Sequence, residues 1–177
     1  VNVDPESKPN AKRRVFFPLA LGVVLLDQLG KFHVARTIEI GERSPLLGSL
    51  LAWTHLPAAG GAFGFFRDWM PSAQLAGFVL LCVIATLVIV TFYHGLARGE
   101  HGSAAGLGAI LGGIMSNTID RVRYGAGVDF LHVGPLTADT LPDFNLADVA
   151  IVLGVVTLVV ELLATEMAAR VSERPDD

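Results

Sequence analysis

The sequence predicts a mainly α, integral membrane protein in which four transmembrane helices carry a small extracytoplasmic sheet. Three observations lead there. Of 177 residues, 52% are hydrophobic and 17% charged, with a mean hydropathy of +0.55, far from a soluble domain of this size. Four apolar segments approach the roughly 20 residues of helix that cross a bilayer. The connection after the first of them is too long to be a mere link, and it alternates polar and apolar residues.

The elements follow in chain order. A polar tail over residues 1–14 contains Lys8, Lys12, Arg13 and Arg14 and leads into the first apolar segment, residues 15–35. A basic flank before an apolar stretch resembles a cleavable signal peptide. Here no small-x-small site follows, and Asp27 and Lys31 interrupt the stretch, so the segment reads as a retained helix. The loop over residues 37–72 ends in Ala58-Ala59-Gly60-Gly61-Ala62-Phe63-Gly64-Phe65-Phe66. Alternation with glycine-rich turns predicts short strands, and the loop's aromatic residues, including Trp53 and Trp69, suit a membrane interface. The second span covers residues 73–93 and the third 103–119. The segment after Arg121 resembles the first loop, with Gly125, Gly127 and Gly134 suggesting turns around Val128-Asp129-Phe130-Leu131-His132-Val133. The fourth span covers residues 146–167, and a tail over 168–177 completes a single domain.

Charge sets orientation and excludes some functions. Seven of the loop and tail cations fall in the N-terminal tail, the second connection and the C-terminal tail, against five in the opposing loops. By the positive-inside rule both termini are cytoplasmic. The net charge of −4 offers no basic footprint for nucleic acid. A lone cysteine, Cys82, excludes an intrachain disulfide and a Cys/His zinc cluster. His33, His55, His94, His101 and His132 are scattered without ligand spacing, so no metal site is expected.

Two acids stand out. Asp120 closes the third span and Asp148 opens the fourth, which puts both at the outer boundary, where ionisable groups are costly and mark function. Each follows an asparagine by three residues, Asn117 and Asn145, and that spacing places amide and carboxylate on one helix face. Either acid alone reads better as a cap or half of an ion pair, Asp148 at a helix N-terminus above all. Together, with matched asparagines at one depth, they predict a two-carboxylate site. Two carboxylates in a low dielectric cannot both ionise, so they share a proton. One then takes a proton from water as it attacks a carbonyl, and the other donates to the carbonyl oxygen. Neither metal nor other cofactor is required. Asn117 and Asn145 are expected to orient the acids or substrate, and Arg121 to anchor a loop or an anionic group. Asp27 and Lys31, four apart, are expected to pair, with Lys31 within reach of a lipid headgroup or another loop. Glu161 is expected to snorkel or hydrogen-bond within the bundle.

The set Asp27-x-x-x-Lys31, Gly60-x-Ala62-Phe63, Asn117-x-x-Asp120-Arg121, Gly125-x-x-Val128-Asp129-Phe130 and Phe144-Asn145-x-Ala147-Asp148 resembles the lipoprotein signal peptidases, or signal peptidase II. The resemblance spans roughly residues 26–151. It implies a four-helix aspartyl protease of the bacterial inner membrane with an extracytoplasmic β-cradle and an active site near the outer face. Such an enzyme cuts prolipoproteins before their diacylglyceryl-modified cysteine. It further implies Asp120 and Asp148 as catalytic residues. Asn117, Arg121, Asn145, Lys31, Asp27, Gly60, Ala62 and Phe63 would support the dyad or bind substrate. Prolipoproteins and membrane lipids are the expected partners of a monomer. The chain departs from the family pattern at Ala58, where an asparagine is usual, at Gly30, where serine or threonine is usual, and at Ser116, where glycine is usual. The missing asparagine also suits a paralogue that binds lipidated or hydrophobic peptides without cutting them. A proton relay in a small transporter fits less well, because both acids lie at one boundary.

Overall fold

Long apolar runs make helices here even across Pro18 in the first and the glycines of the third, and the computed structural model has four among the described residues 11–48, 50–58, 70–134 and 142–172. In order the elements are α1 (Ala11–Thr37), β1 (Arg43–Leu47), β2 (Leu51–Ala58), α2 (Pro71–Gly95), α3 (His101–Tyr124), β3 (Gly127–Val133) and α4 (Leu146–Ser172). Helix thus extends into both expected tails, from Ala11 and as far as Ser172. Proline at the first turn suits α2, where the missing N–H would have no partner. Its far end is closed by Lys12, whose ammonium donates to the carbonyls of Tyr93 (3.0 Å) and Leu96 (2.5 Å). A cation at a helix C-terminus satisfies orphan carbonyls and opposes the macrodipole. Gly125 ends α3 in the left-handed region at φ 74°.

Three helices, α1, α2 and α4, are long and apolar enough to cross a membrane. Their outer faces expose Leu25, Leu29, Leu87, Phe92, Leu153 and Leu162, a surface that only an apolar solvent stabilises. Helix α3, expected as a span over residues 103–119, has the length but is diluted by glycine. That composition has a packing cause. A Cβ on Gly108 would stand 2.7 Å from the Phe16 carbonyl oxygen of α1, one on Gly112 2.6 Å from that of Ala20, and one on Gly113 2.5 Å from that of Ala147 in α4. Small residues on two faces let α1 and α4 close directly onto the α3 backbone, so α3 is the inner helix of the bundle. It also runs one turn past Asp120, which therefore lies within the helix and not at its exit.

The strands form one antiparallel sheet in the order β1-β2-β3. The strands expected in the 37–72 loop are present as β1 and β2. The Val128–Val133 stretch is itself the third strand, paired with β2 from Leu51↔Val133 to Ala58↔Gly127. The sheet is fastened to the bundle by Phe130, which is 1% exposed and fills the space above Gly30, where a Cβ would meet its ring at 2.7 Å. Glycine at that position is thus matched by an aromatic ring from β3. Trp53 extends the contact, 5.8 Å from Phe130 and 5.9 Å from His33 between ring centroids.

Candidate active site

Ionisable side chains gather where α1, α3, β3 and the start of α4 converge, and they form two groups of different character. The inner group is built on Asp27, Lys31 and Asp120, all nearly inaccessible. One helical turn brings the Lys31 ammonium to Asp27 (2.5 Å), and the α1–α3 contact brings it to Asp120 as well. Lys31 also donates to the Asn117 side-chain oxygen at 3.0 Å. The expected pairing of Asp27 and Lys31 is present, whereas Lys31 turns inward and not toward a headgroup. Asp27 accepts from the Ser116 hydroxyl (2.7 Å) and from the backbone N–H of Ala147 (2.9 Å), so it satisfies one of the orphan donors at the start of α4. Asp120 accepts from the Gln28 amide at 2.7 Å through one oxygen and faces Lys31 with the other. Two buried carboxylates around a single ammonium are stabilised by these hydrogen bonds as much as by charge.

The outer group lies at the junction of β3 and α4. Asn145 caps α4 reciprocally with Asp148: the Asp148 N–H donates to the Asn145 side-chain oxygen (3.0 Å), and the Asn145 N–H donates to the Asp148 carboxylate (3.3 Å). This is a capping box, so the capping role weighed for Asp148 from its position is real. The carboxylate keeps capacity beyond the cap, because its other oxygen accepts from the Asn117 amide at 2.9 Å. The Asn145 amide in turn donates to Asp129 (2.9 Å) and to the Val128 carbonyl (3.3 Å). One asparagine therefore holds two carboxylates. Burial, and then the charge of Asp148, push the Asp129 carboxyl up to about 7, against the opposing pull of the Asn145 amide and of Lys31, while Asp143 adds a further upward push. Asp129 and Asp148 are each only partly buried.

Of the residues expected from sequence, Asp27, Lys31, Asn117, Asp120, Asn145 and Asp148 are brought together. Asp120 connects to Asp148 only by way of Lys31 and Asn117. Arg121 stacks over the Phe78 ring of α2, 4.2 Å from its centroid, while its charge also acts on Asp129, Asp120 and Asp148. Gly60, Ala62 and Phe63 lie outside the described residues. Sequence reasoning passed over Gln28 and Ser116, which bind the inner acids, and it left Asp129 as part of a motif without a role. The available signal was an acid set between Val128 and Phe130 in an otherwise apolar strand.

The family model described as signal peptidase (SPase) II matches residues 19–164. Similar proteins include the lipoprotein signal peptidase of Geobacter sulfurreducens, 38% identical over 153 residues, covering 86% of this chain and 94% of the relative. That of Halalkalibacterium halodurans is 35% identical over 156 residues, covering 88% and 96%. A solved structure of a bacterial membrane enzyme, determined at 2.3 Å by the in meso method, superposes with a TM-score of 0.76 at 24% identity, covering 90% of this chain and 91% of that one. A second, at 1.9 Å, gives 0.72 at 28% identity, covering 82% and 90%. With a family model matched over most of its length and relatives above 30% identity along nearly their whole chains, this chain belongs to the signal peptidase II family.

Proposed function

We propose that this protein is an aspartic endopeptidase that removes signal peptides from diacylglyceryl-modified prolipoproteins, cutting before the lipidated cysteine, with Asp129 and Asp148 as its dyad. Its relatives carry the name lipoprotein signal peptidase, and the reaction class follows from the outer carboxylates. The observation that carries the dyad is Asn145, which binds both acids, together with an Asp129 carboxyl raised to about 7. Asp120, expected from sequence as the second acid, is displaced in this reading. Both of its oxygens are engaged, by Gln28 and Lys31, with no exposure to water.

Roles follow from the environments. Asp148 sits in the first turn of α4, where N–H donors from Asn117 and Asn145 fix the direction of its carboxyl oxygens. It takes the proton from a water as that oxygen bonds to the scissile carbonyl carbon. Asp129, raised to about 7, is protonated in a large share of molecules at neutral pH and in that form donates to the carbonyl oxygen. Collapse of the tetrahedral gem-diol breaks the C–N bond as Asp148 passes the proton taken from water to the departing nitrogen and Asp129 recovers one from a gem-diol hydroxyl, leaving a carboxylic acid and an amine. The Lys31–Asn117 link positions the Asp148 carboxylate from below.

The same reading places the dyad at the outer face of the bacterial inner membrane, with α3 as a fourth span shielded by its neighbours and both termini cytoplasmic. Prolipoproteins are the substrates, lipids the surroundings, and the working unit a monomer. The test is cleavage of a synthetic diacylglyceryl lipobox peptide by purified Asp129→Asn and Asp148→Asn proteins, followed by mass spectrometry. Loss of product with normal membrane insertion is expected in both. Sustained cleavage by either variant removes the dyad.

A further inference from the structure

The segment that carries the start of α4 is held to the sheet by few contacts. Among the described residues its one bridge to β3 is Leu131↔Phe144, made by the Phe144 N–H to the Leu131 carbonyl (3.0 Å) and by the Phe130 and Leu131 N–H groups to the Phe144 carbonyl (3.1 and 2.8 Å). A single bridge specifies register weakly, and a slip of one residue along a strand moves the chain by about 3.3 Å. Such a slip would carry Asn145 away from Asp129. On the far side of the bridge His132, fully buried, meets the Asp143 carboxylate at 2.6 Å through Nδ1. Asp143 lies 3.5 Å from the Arg43 guanidinium of β1 with its second oxygen. The Nε2 of His132 has no hydrogen-bond partner among the described residues, and neither has the nearby strand's buried Thr54 hydroxyl, so the ring's polar engagement is with Asp143. Burying such a pair at a sheet–helix junction is costly where apolar residues would pack as well, and the best-attested use of buried polar pairs is to fix register.

We propose that His132 and Asp143 are positioning residues for the dyad, pinning β3, which carries Asp129, in register with the segment that delivers Asn145 and Asp148. The inference rests on the Asp129–Asp148 reading above. The pin works at three successive residues: Asp143 to His132, Phe144 to Leu131, and Asn145 to Asp129 and Val128. Arg43 ties the same carboxylate to the far strand of the sheet, so all three strands bear on one register. Asp143 also acts directly by charge, as one of the carboxylates that raise Asp129.

The experiment is steady-state cleavage of the diacylglyceryl lipobox peptide by full-length His132→Phe, His132→Asn, Asp143→Asn and Asp129→Asn proteins. A misplacement of the order of 1 Å costs about 100-fold, so His132→Phe is expected to lose about 10- to 100-fold in kcat with KM within about twofold. His132→Asn, which keeps a donor near the Nδ1 position, is expected to recover most of that loss. Asp143→Asn is expected to move the basic limb of the pH–rate profile to lower pH, because one charge raising Asp129 is gone. The positioning role is overturned if His132→Phe keeps its kcat while Asp129→Asn is inactive. It is equally overturned if both His132 variants lose activity only in proportion to lost folded protein. Cleavage by Asp129→Asn would instead remove the underlying dyad.

Discussion

Asp120 and Asp129 are nine residues apart in sequence, one inside α3 against α1, the other on the strand facing α4. Around Asp120 every oxygen has an answer: an amide from Gln28 and the ammonium of Lys31, which also serves Asp27. Around Asp129 there are an asparagine amide and the carboxylates of Asp148 and Asp143, while the cations Lys31 and Arg121 act on it by charge without an ion-pair contact among the described residues. The ammonium of Lys31 thus occupies the buried acid in the first region, while burial among carboxylates retains a proton on the acid in the second. The difference teaches that a buried acid is not by itself a catalytic acid. What matters is whether its neighbours leave it a proton to exchange.

The comparison breaks most sharply at the dyad. Asp129→Asn or Asp148→Asn is expected to lower kcat by about 1,000-fold or more, since general acid–base groups contribute about 100- to 10,000-fold and the two act as a unit. Asp120→Asn is expected to act elsewhere: Lys31 keeps Asp27 as its partner, so the loss is that of a buried hydrogen-bonded contact, about 1–3 kcal/mol, read as a lower thermal midpoint in detergent. Turnover per folded molecule should then stay well above that of Asp129→Asn. An Asp120→Asn enzyme that is stable yet inactive would return Asp120 to the chemistry.

Smaller effects sharpen the contrast. Gly113→Ala puts a methyl 2.5 Å from the Ala147 carbonyl oxygen, where overpacking costs about 1–3 kcal/mol. By pushing the first turn of α4 outward it should reduce kcat along with the thermal midpoint, whereas an intact kcat would mean that α4 shifts without disturbing Asp148. The mildest expectation concerns pH. Asp129 holds its proton to about 7 against an ordinary 3.8, so the folded chain binds that proton more tightly than the unfolded one does. This contribution to stability is complete below the unfolded value and is lost as pH rises through the folded one. Asp129→Asn should therefore gain more in thermal midpoint over the parent at pH 8 than at pH 5. Equal midpoint differences at both would mean that Asp129 is ionised throughout.

Much of this was legible in the sequence because membranes impose simple rules. Apolar runs located the helices within a few residues, and alternation in the first loop located β1 and β2. The Asn-x-x-Asp spacing led to one true neighbour, Asn145 with Asp148 by capping, whereas Asn117, expected on the face of Asp120, meets Asp148 by a contact between helices. What the spacing did not carry was the partner of Asp120, because Lys31 reaches it across the α1–α3 interface, and such a meeting depends on how closely glycines let the helices approach. Asp129 was obscured for a related reason. In a strand an acid every few residues is unremarkable, and only the fold brings it beside Asp148. Ser116, which stands where the family pattern has glycine, meets Asp27 and Gln28 with its hydroxyl, so its bulk is absorbed by hydrogen bonds.

The Asp27 carboxylate that receives the Ala147 N–H joins α1 to α4, a helix synthesised well after it. Until α4 has entered the bilayer, Asp27 lacks that donor, Asp129 lacks Asn145, and Asp148 is absent altogether. On the proposed dyad, competence to cut therefore arrives only once α4 has joined the other helices. A nascent chain stalled after β3 would display Lys31 and both of its acids in their bundle yet have no means of cutting anything nearby.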